Sequence, residues 1–414
     1  MDRKIAKNII ALFAIQGANF VIPLFTLPYL FRTLGPEAFG GAAVCQAIFA
    51  YVILLSEYGF NLTGTRHVAE YRDSPEELSR FFWVVLSAKI ILGGAGIFFA
   101  ILIAVLLPGV KGNLNIFFSY IPMVLGSILF PQWLFQGMEK MAFVSFSSIG
   151  ARVITVPLIF VFVVSPADAW KFALITAISP FVAGLISLIL IRANKIIYWV
   201  PPNISAVMAV LRDGWHVFIS TASINLYTTS SVLLVGLVCG PAGAGYYAAA
   251  DKLRGAIQSA FTPIGNAVYP RISRLIGRDY DAAFLIIRKY MRFQIVTTLI
   301  VVVICAAYAP LIVDLIMGRR FEGAVAAFRI LCFVPFFVGL SNVFGVQTML
   351  PLGMKAEFSR LTLLSGLLNV VLIIPLAYFF NVAGAAVSVL IAELFVAASM
   401  GYTLHLRRIP IFSH

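Results

Sequence analysis

Phe81 to Leu107 reads FFWVVLSAKIILGGAGIFFAILIAVLL, twenty-seven residues with one charge, Lys89. Coiled as an α-helix at 1.5 Å per residue, it is about 40 Å long, more than the ~30 Å of hydrocarbon in a bilayer. It shows no period-2 alternation, so it is not a strand of a membrane barrel. The rest of the chain resembles it. Of 414 residues, 61% are hydrophobic and 11% charged, and the mean hydropathy is +0.99. Soluble domains average roughly 45–50% apolar and 25% charged residues. A soluble enzyme and a disordered chain are both excluded, which leaves an all-α membrane protein with many spans.

The same ruler predicts twelve transmembrane helices, at about 9–31, 38–60, 81–107, 114–136, 141–164, 170–191, 214–239, 244–269, 293–316, 325–350, 358–380 and 382–405. The basic start MDRKIAKN suggests a signal peptide. The apolar run after it is too long for one, and no small-residue cleavage site precedes Arg32, so it is expected to stay as the first span. Twelve spans put both termini on one side. Twenty of the 30 Lys and Arg residues fall on that side and six on the other, so both termini are expected in the cytoplasm. This topology accounts for the net charge of +13 without nucleic acid, since no basic run exceeds two residues.

The chain divides in the middle. After span six, Ile196–Pro202 ends in Pro-Pro, and Asn203 is placed to cap a short amphipathic helix, Ile204–Leu211, with Val207, Met208 and Leu211 on one face and Arg212-Asp213 closing it. The expected organisation is therefore an N-terminal six-helix bundle (1–195), a cytoplasmic linker with an interfacial helix (196–213) and a C-terminal six-helix bundle (214–414). The halves read as copies. Shifted by 205 positions without a gap, Gly35, Pro36, Gly40, Ala43, Asn61 and Arg66 meet Gly240, Pro241, Gly245, Ala248, Asn266 and Arg271. Repeats of like orientation are one transporter plan, and they place a substrate site between the halves.

No phosphate-binding loop and no hydrolase or metalloprotease signature is present, so no catalytic residue and no cofactor are expected. Cys45, Cys239, Cys305 and Cys332 lie far apart in apolar stretches as small core residues, and the four histidines lack metal-ligand spacing. The informative residues are charges inside spans, each of which should face a partner or a wet cavity. Arg152 sits near the middle of span five. Lys89 and Glu57 are placed either to pair across a hairpin or to act separately. Asp251, Lys252 and Arg254 crowd span eight, where Asp251 and Arg254 share a face and Lys252 points about 100° away. Glu393, mid-span twelve, either neutralises a base or carries a proton. Span seven holds a polar run from Ser220 to Ser231, including Thr221, Asn225 and Thr228, that suits a water-lined wall. With Arg152 and Lys252 as the deepest bases without evident partners, such an interior favours an anion.

Several segments together carry a family pattern: Leu34-Gly35-Pro36-Glu37-Ala38-Phe39-Gly40, then Glu57-Tyr58-Gly59-Phe60-Asn61 through Arg66, then Gln136-Gly137-Met138-Glu139-Lys140-Met141. Tyr246-Tyr247 through Asp251-Lys252-Leu253, and Asn369 followed by Pro375 and Gly384-Ala385-Ala386, continue it. In these the chain resembles the polysaccharide repeat-unit (O-antigen) flippases of the multidrug/oligosaccharidyl-lipid/polysaccharide exporter superfamily. The resemblance implies two pseudo-symmetric six-helix bundles around a central cavity in the bacterial inner membrane. It implies a substrate too, an undecaprenyl-pyrophosphate-linked oligosaccharide moved from the cytoplasmic to the periplasmic leaflet for O-antigen, capsule or exopolysaccharide synthesis. Its partners would then be membrane lipid, H+ or Na+ as a coupling ion, and a polysaccharide polymerase with its chain-length regulator. On that view Arg152, Lys252, Arg254 and Lys89 are expected to hold the pyrophosphate, and Asn225, Thr221 and Thr228 to line the sugar path. Asp251, Glu393 and Glu57 are the candidates for ion coupling. A drug/ion antiporter of the same superfamily is the alternative, and it calls for a net acidic cavity.

Overall fold

The computed structural model describes residues 3–106 and 108–411, without the side chains of residues 3–21, 23, 24, 108, 109, 216, 220 and 223–228. Every regular element among them is helical. The chain falls into two compact units, Met1–Asn225 and Leu226–His414.

The first unit holds α1 (Arg3–Glu57), α2 (Phe60–Tyr71), α3 (Pro75–Leu106), α4 (Pro108–Lys111), α5 (Leu114–Ser119), α6 (Ile121–Leu129), α7 (Gln132–Gly137), α8 (Met141–Phe162) and α9 (Ala169–Ala193). A 3-10 turn, Pro166–Asp168, leads into α9. There the Asp168 carboxylate accepts from the Val164 and Ser165 amides at 3.1 and 2.9 Å and pairs with Lys171 at 2.6 Å, capping the helix start. α6 and α9 touch backbone to backbone. A Cβ on Gly126 would lie 2.4 Å from the Phe181 amide nitrogen, so only glycine allows the crossing. Phe60, Val68, Trp133, Phe135 and Ile191 fill the core at one end of this unit.

Asn203 accepts from the Ser205 amide and hydroxyl at 2.9 and 3.0 Å, at the start of α10 (Ile204–Ile276). Val207 is buried and Leu211 packs on the core of the first unit. Met208 does not share their face: it is 61% exposed, because position 208 lies a further 100° around the helix from 207. Nor does the helix end at Arg212-Asp213. It continues past them, since neither residue breaks a helix and Gly214-Trp215 follows without a proline.

The second unit contains the rest of α10, then α11 (Tyr280–Ala307), α12 (Ala309–Met317), α13 (Val325–Leu331), α14 (Val334–Ser341) and α15 (Lys355–Leu406), with a 3-10 segment at Arg319–Ala324 and a π-helical stretch at Asn342–Met349. Asp279 caps α11 by accepting from the Ala282 amide at 2.9 Å. Ile272, Phe284, Ile287, Val343, Met349 and Leu404 form its core.

Among the described residues nine helical segments are long and apolar enough to cross a membrane. Three of them, of 47, 48 and 52 residues, are far longer than the ~20 residues one crossing needs. Each is interrupted by a residue outside helical geometry: Gly35 at φ 71, ψ 175, Gly240 at φ 73, ψ −178, and Asn381 at φ 52, ψ −140. Large apolar side chains face outward along these helices, as at Phe98 and Tyr378, which suits lipid rather than water as the surrounding solvent.

Gly35 and Gly240 are partners in the 205-residue shift, and they adopt the same conformation. That region of φ and ψ is open essentially to glycine alone. Each is followed by a proline, whose missing N–H is harmless at the first position of the next helix. Gly35→Ala and Gly240→Ala should each lower stability by about 1–3 kcal/mol through backbone strain alone. Gly94→Ala, at a helical site where a Cβ meets nothing within 4 Å, serves as the neutral control. Thermal unfolding of the purified full chain measures the difference, and equal melting of all three variants would refute this account of the breaks.

Candidate functional site

Charges inside the spans define the site. On α10, Tyr247, Asp251, Arg254 and Gln258 recur at helical spacing and line one cavity of ≈ 290 Å³ in the second unit. Arg254 Nε donates to Asp251 Oδ1 at 2.6 Å, and its Nη1 donates to Gln258 Oε1 at 2.5 Å. Glu393 of α15 lines the same cavity and lies within electrostatic reach of Arg254. The cavity therefore holds two carboxylates and one guanidinium. Buried polar groups close another wall. Asn369 Nδ2 donates to Ser231 Oγ at 3.2 Å, and Ser388 Oγ donates to Asn369 Oδ1 at 3.1 Å. Ser365 Oγ donates to the Ala392 carbonyl at 2.7 Å, which ties the two halves of α15 together across the break at Asn381.

Asp251, Arg254 and Glu393, expected from the sequence, are thus brought together. Lys252 is not with them. It is exposed on another side of α10, as its 100° rotation from Asp251 requires. Asn369, Gln258, Tyr247 and Ser231 also line the cavity and were not among the expected binding or coupling residues. A signal for three of them exists: Gln258 lies four residues beyond Arg254, Tyr247 four before Asp251, and Ser231 ends the polar run of span seven. Of the expected sugar-path residues, Thr221 is half-buried and its hydroxyl donates back to the Val217 carbonyl at 2.9 Å. The side chains of Asn225 and Thr228 lie outside the described residues.

In the first unit Glu57 and Lys89 pair at 3.0 Å, with the lysine side chain 2% exposed and the glutamate 23%. Of the two readings open for these residues, the coordinates hold the ion pair. Asn61 Nδ2 donates to the other Glu57 oxygen, Oε2, at 3.0 Å. Arg152, near the middle of α8, is half-buried and makes no hydrogen bond or ion pair with a described residue. Among the described residues no group of three His, Cys, Asp or Glu side chains is placed to hold a metal.

The chain is 37% identical over 394 residues, 95% of its own length and 95% of the relative's, to the "Putative O-antigen transporter" of Escherichia coli (strain K12). The protein of the same name from Shigella dysenteriae is 28% identical over 95% of this chain and 98% of its own. Two solved structures share the fold at 14% identity. One is an inward-facing multidrug resistance MATE family transporter of the MOP superfamily, with TM-score 0.71 over 97% of this chain and 100% of that one. The other is the lipid II flippase MurJ in an inward closed conformation, with TM-score 0.69 over 97% and 87%. The family model described as polysaccharide biosynthesis protein matches residues 5–276, well over half of the sequence. The chain belongs to that polysaccharide biosynthesis family.

Proposed function

We propose that this protein is a multi-pass transporter, not an enzyme, and that it flips lipid-linked oligosaccharide repeat units across the bacterial inner membrane for O-antigen or related surface polysaccharide. The observation that carries the reading is the near full-length similarity to relatives named for O-antigen transport. The fold shared with a MOP superfamily transporter and with a lipid II flippase supports it. Counting each break at Gly35, Gly240 and Asn381 as a turn between two crossings takes nine candidate spans among the described residues to twelve, six in each unit. The charge bias across the loops supports cytoplasmic termini.

Physical chemistry says what such a carrier must do. Moving a bare pyrophosphate into hydrocarbon costs on the order of 20 kcal/mol per charge in the idealised limit, with more for each unpaired sugar hydroxyl. The prenyl tail, by contrast, prefers to stay among acyl chains. A wet cleft open sideways to lipid meets both demands, and rocking of the halves exposes it to each leaflet in turn. The undecaprenyl-pyrophosphate group would fall to Arg152 and Lys252, in-span bases without an ion pair among the described residues, while Thr221, Asn225 and Thr228 of α10 would line the sugar path. Lys89 is occupied by Glu57, and Arg254 by Asp251. The Asp251–Arg254–Glu393 cavity carries a formal charge of −1, which suits H+ or Na+ coupling better than pyrophosphate. That same acidity favours the second reading, a drug/ion antiporter whose cationic substrate enters there. A polymerase and a chain-length regulator would act on the product.

Two experiments follow. Arg152→Ala combined with Lys252→Ala should cut surface-polysaccharide export at least tenfold in cells lacking their own flippase, at unchanged protein level. Export at the wild-type level, or export of drug cations instead, would defeat the anion-carrier reading. Arg254→Ala leaves Asp251 and Glu393 as like charges in one cavity and should destabilise the purified protein by on the order of 2 kcal/mol, less than for a fully buried pair because both partners keep some solvent contact. Adding Asp251→Asn should recover most of that loss. If melting curves show the two changes to be additive, the pair is not coupled as described.

A further inference from the structure

Lys89 belongs to α3, which runs unbroken from Pro75 to Leu106, and its side chain is almost wholly enclosed. Besides pairing with Glu57, Nζ donates at 2.5 Å to the main-chain oxygen of Ser127. The sequence explains this contact. In a helix the Ser127 carbonyl receives the amide of residue 131, and residue 131 is proline, which has no N–H. α6 accordingly stops at Leu129, with Phe130 extended at φ −89, ψ 100, and α7 starts after Pro131. The lysine ammonium supplies the missing donor where water cannot, and its charge suits the negative end of α6.

Glu57, the other partner, is the last residue of α1. Tyr58 and Gly59 follow at φ 46 and 82, and α2 then begins. Asn61, in the first turn of α2, donates to the same carboxylate. One ammonium on a continuous helix therefore joins the breaks in two neighbouring ones. Beyond those breaks α2 and α7 pack on each other. A Cβ on Gly64 would lie 3.1 Å from the Trp133 ring, and one on Gly137 would lie 2.6 Å from Val68 Cβ. The Thr65 hydroxyl approaches the Trp133 carbonyl at 3.4 Å.

We propose that Lys89 is the pin of a paired hinge: α2 and α7 move as one body about Tyr58-Gly59 and Phe130-Pro131, and Lys89 keeps the two joints in register through Glu57 and the Ser127 carbonyl. The pin works whether or not the transported molecule is a lipid-linked sugar.

Hydrogen–deuterium exchange on the full chain in lipid nanodiscs tests it. Lys89→Met should speed exchange at least tenfold in residues 58–71 and 128–138 together, leaving 141–162 unchanged. Adding Pro131→Ala gives the Ser127 carbonyl an amide partner. It should return 128–138 to within threefold of wild type while 58–71 stays fast. Glu57→Gln should loosen 58–71 and spare 128–138. If Lys89→Met loosens only one segment, loosens every helix alike, or gains nothing from Pro131→Ala, the pin does not exist. Should Lys89→Met fail to accumulate, Glu57→Gln/Lys89→Met/Pro131→Ala, which removes both unmet partners, should accumulate, and its failure would equally overturn the proposal.

Discussion

A carbonyl or amide in hydrocarbon has no water to fall back on, and that constraint governs this protein more than any single contact. It makes helix the default for a chain this apolar. It also makes each departure from helix an event requiring local compensation. At Gly35-Pro36 and Gly240-Pro241 the glycine adopts a conformation other residues avoid, and the proline opens the following helix where no donor is needed. At Phe130-Pro131 the chain has no such arrangement, and a buried lysine from another helix meets the freed carbonyl instead. At Asn381 the two halves of α15 are held together by a serine hydroxyl reaching the carbonyl of Ala392. Charged groups thus enter this fold in part as donors for a backbone that cannot be solvated.

Much of this was legible in the sequence, and for a clear reason. Hydropathy over twenty residues responds to the bilayer, so the helical class and the membrane-crossing stretches follow from composition. Charges inside apolar stretches stand out because they are costly. The i, i+3 relation of Asp251 and Arg254 needs only helical geometry, and so does the displacement of Lys252 from them. The 205-residue shift pairs Gly35 with Gly240, and the two share one backbone conformation. What composition does not carry is where a helix bends. The continuation of α10 past Arg212-Asp213 and the outward turn of Met208 follow from local helix geometry that hydropathy over a span does not resolve, whereas the cavity role of Asn369 depends on packing between segments distant in sequence. Asn369 is one polar residue in an apolar span, and only its contacts with Ser231 and Ser388 distinguish it from an isolated polar site.

Three bases within the spans illustrate how context assigns a task to a costly residue. An insertion cost of roughly 2.5–3.5 kcal/mol attends a cation at a helix centre. Lys89 offsets that cost with a carboxylate and a carbonyl, and Arg254 with a carboxylate and an amide oxygen. Arg152 has neither among the described residues. On the proposed reading, an arginine left without a partner among the described residues would gain its compensation from the cargo. The guanidinium gains most from a partner with oxygens placed for two parallel hydrogen bonds, as a phosphate has. On the proposed reading the charges would divide the work by sign: Arg152 and Lys252 would hold an anionic cargo, and Asp251 and Glu393 a cationic driver.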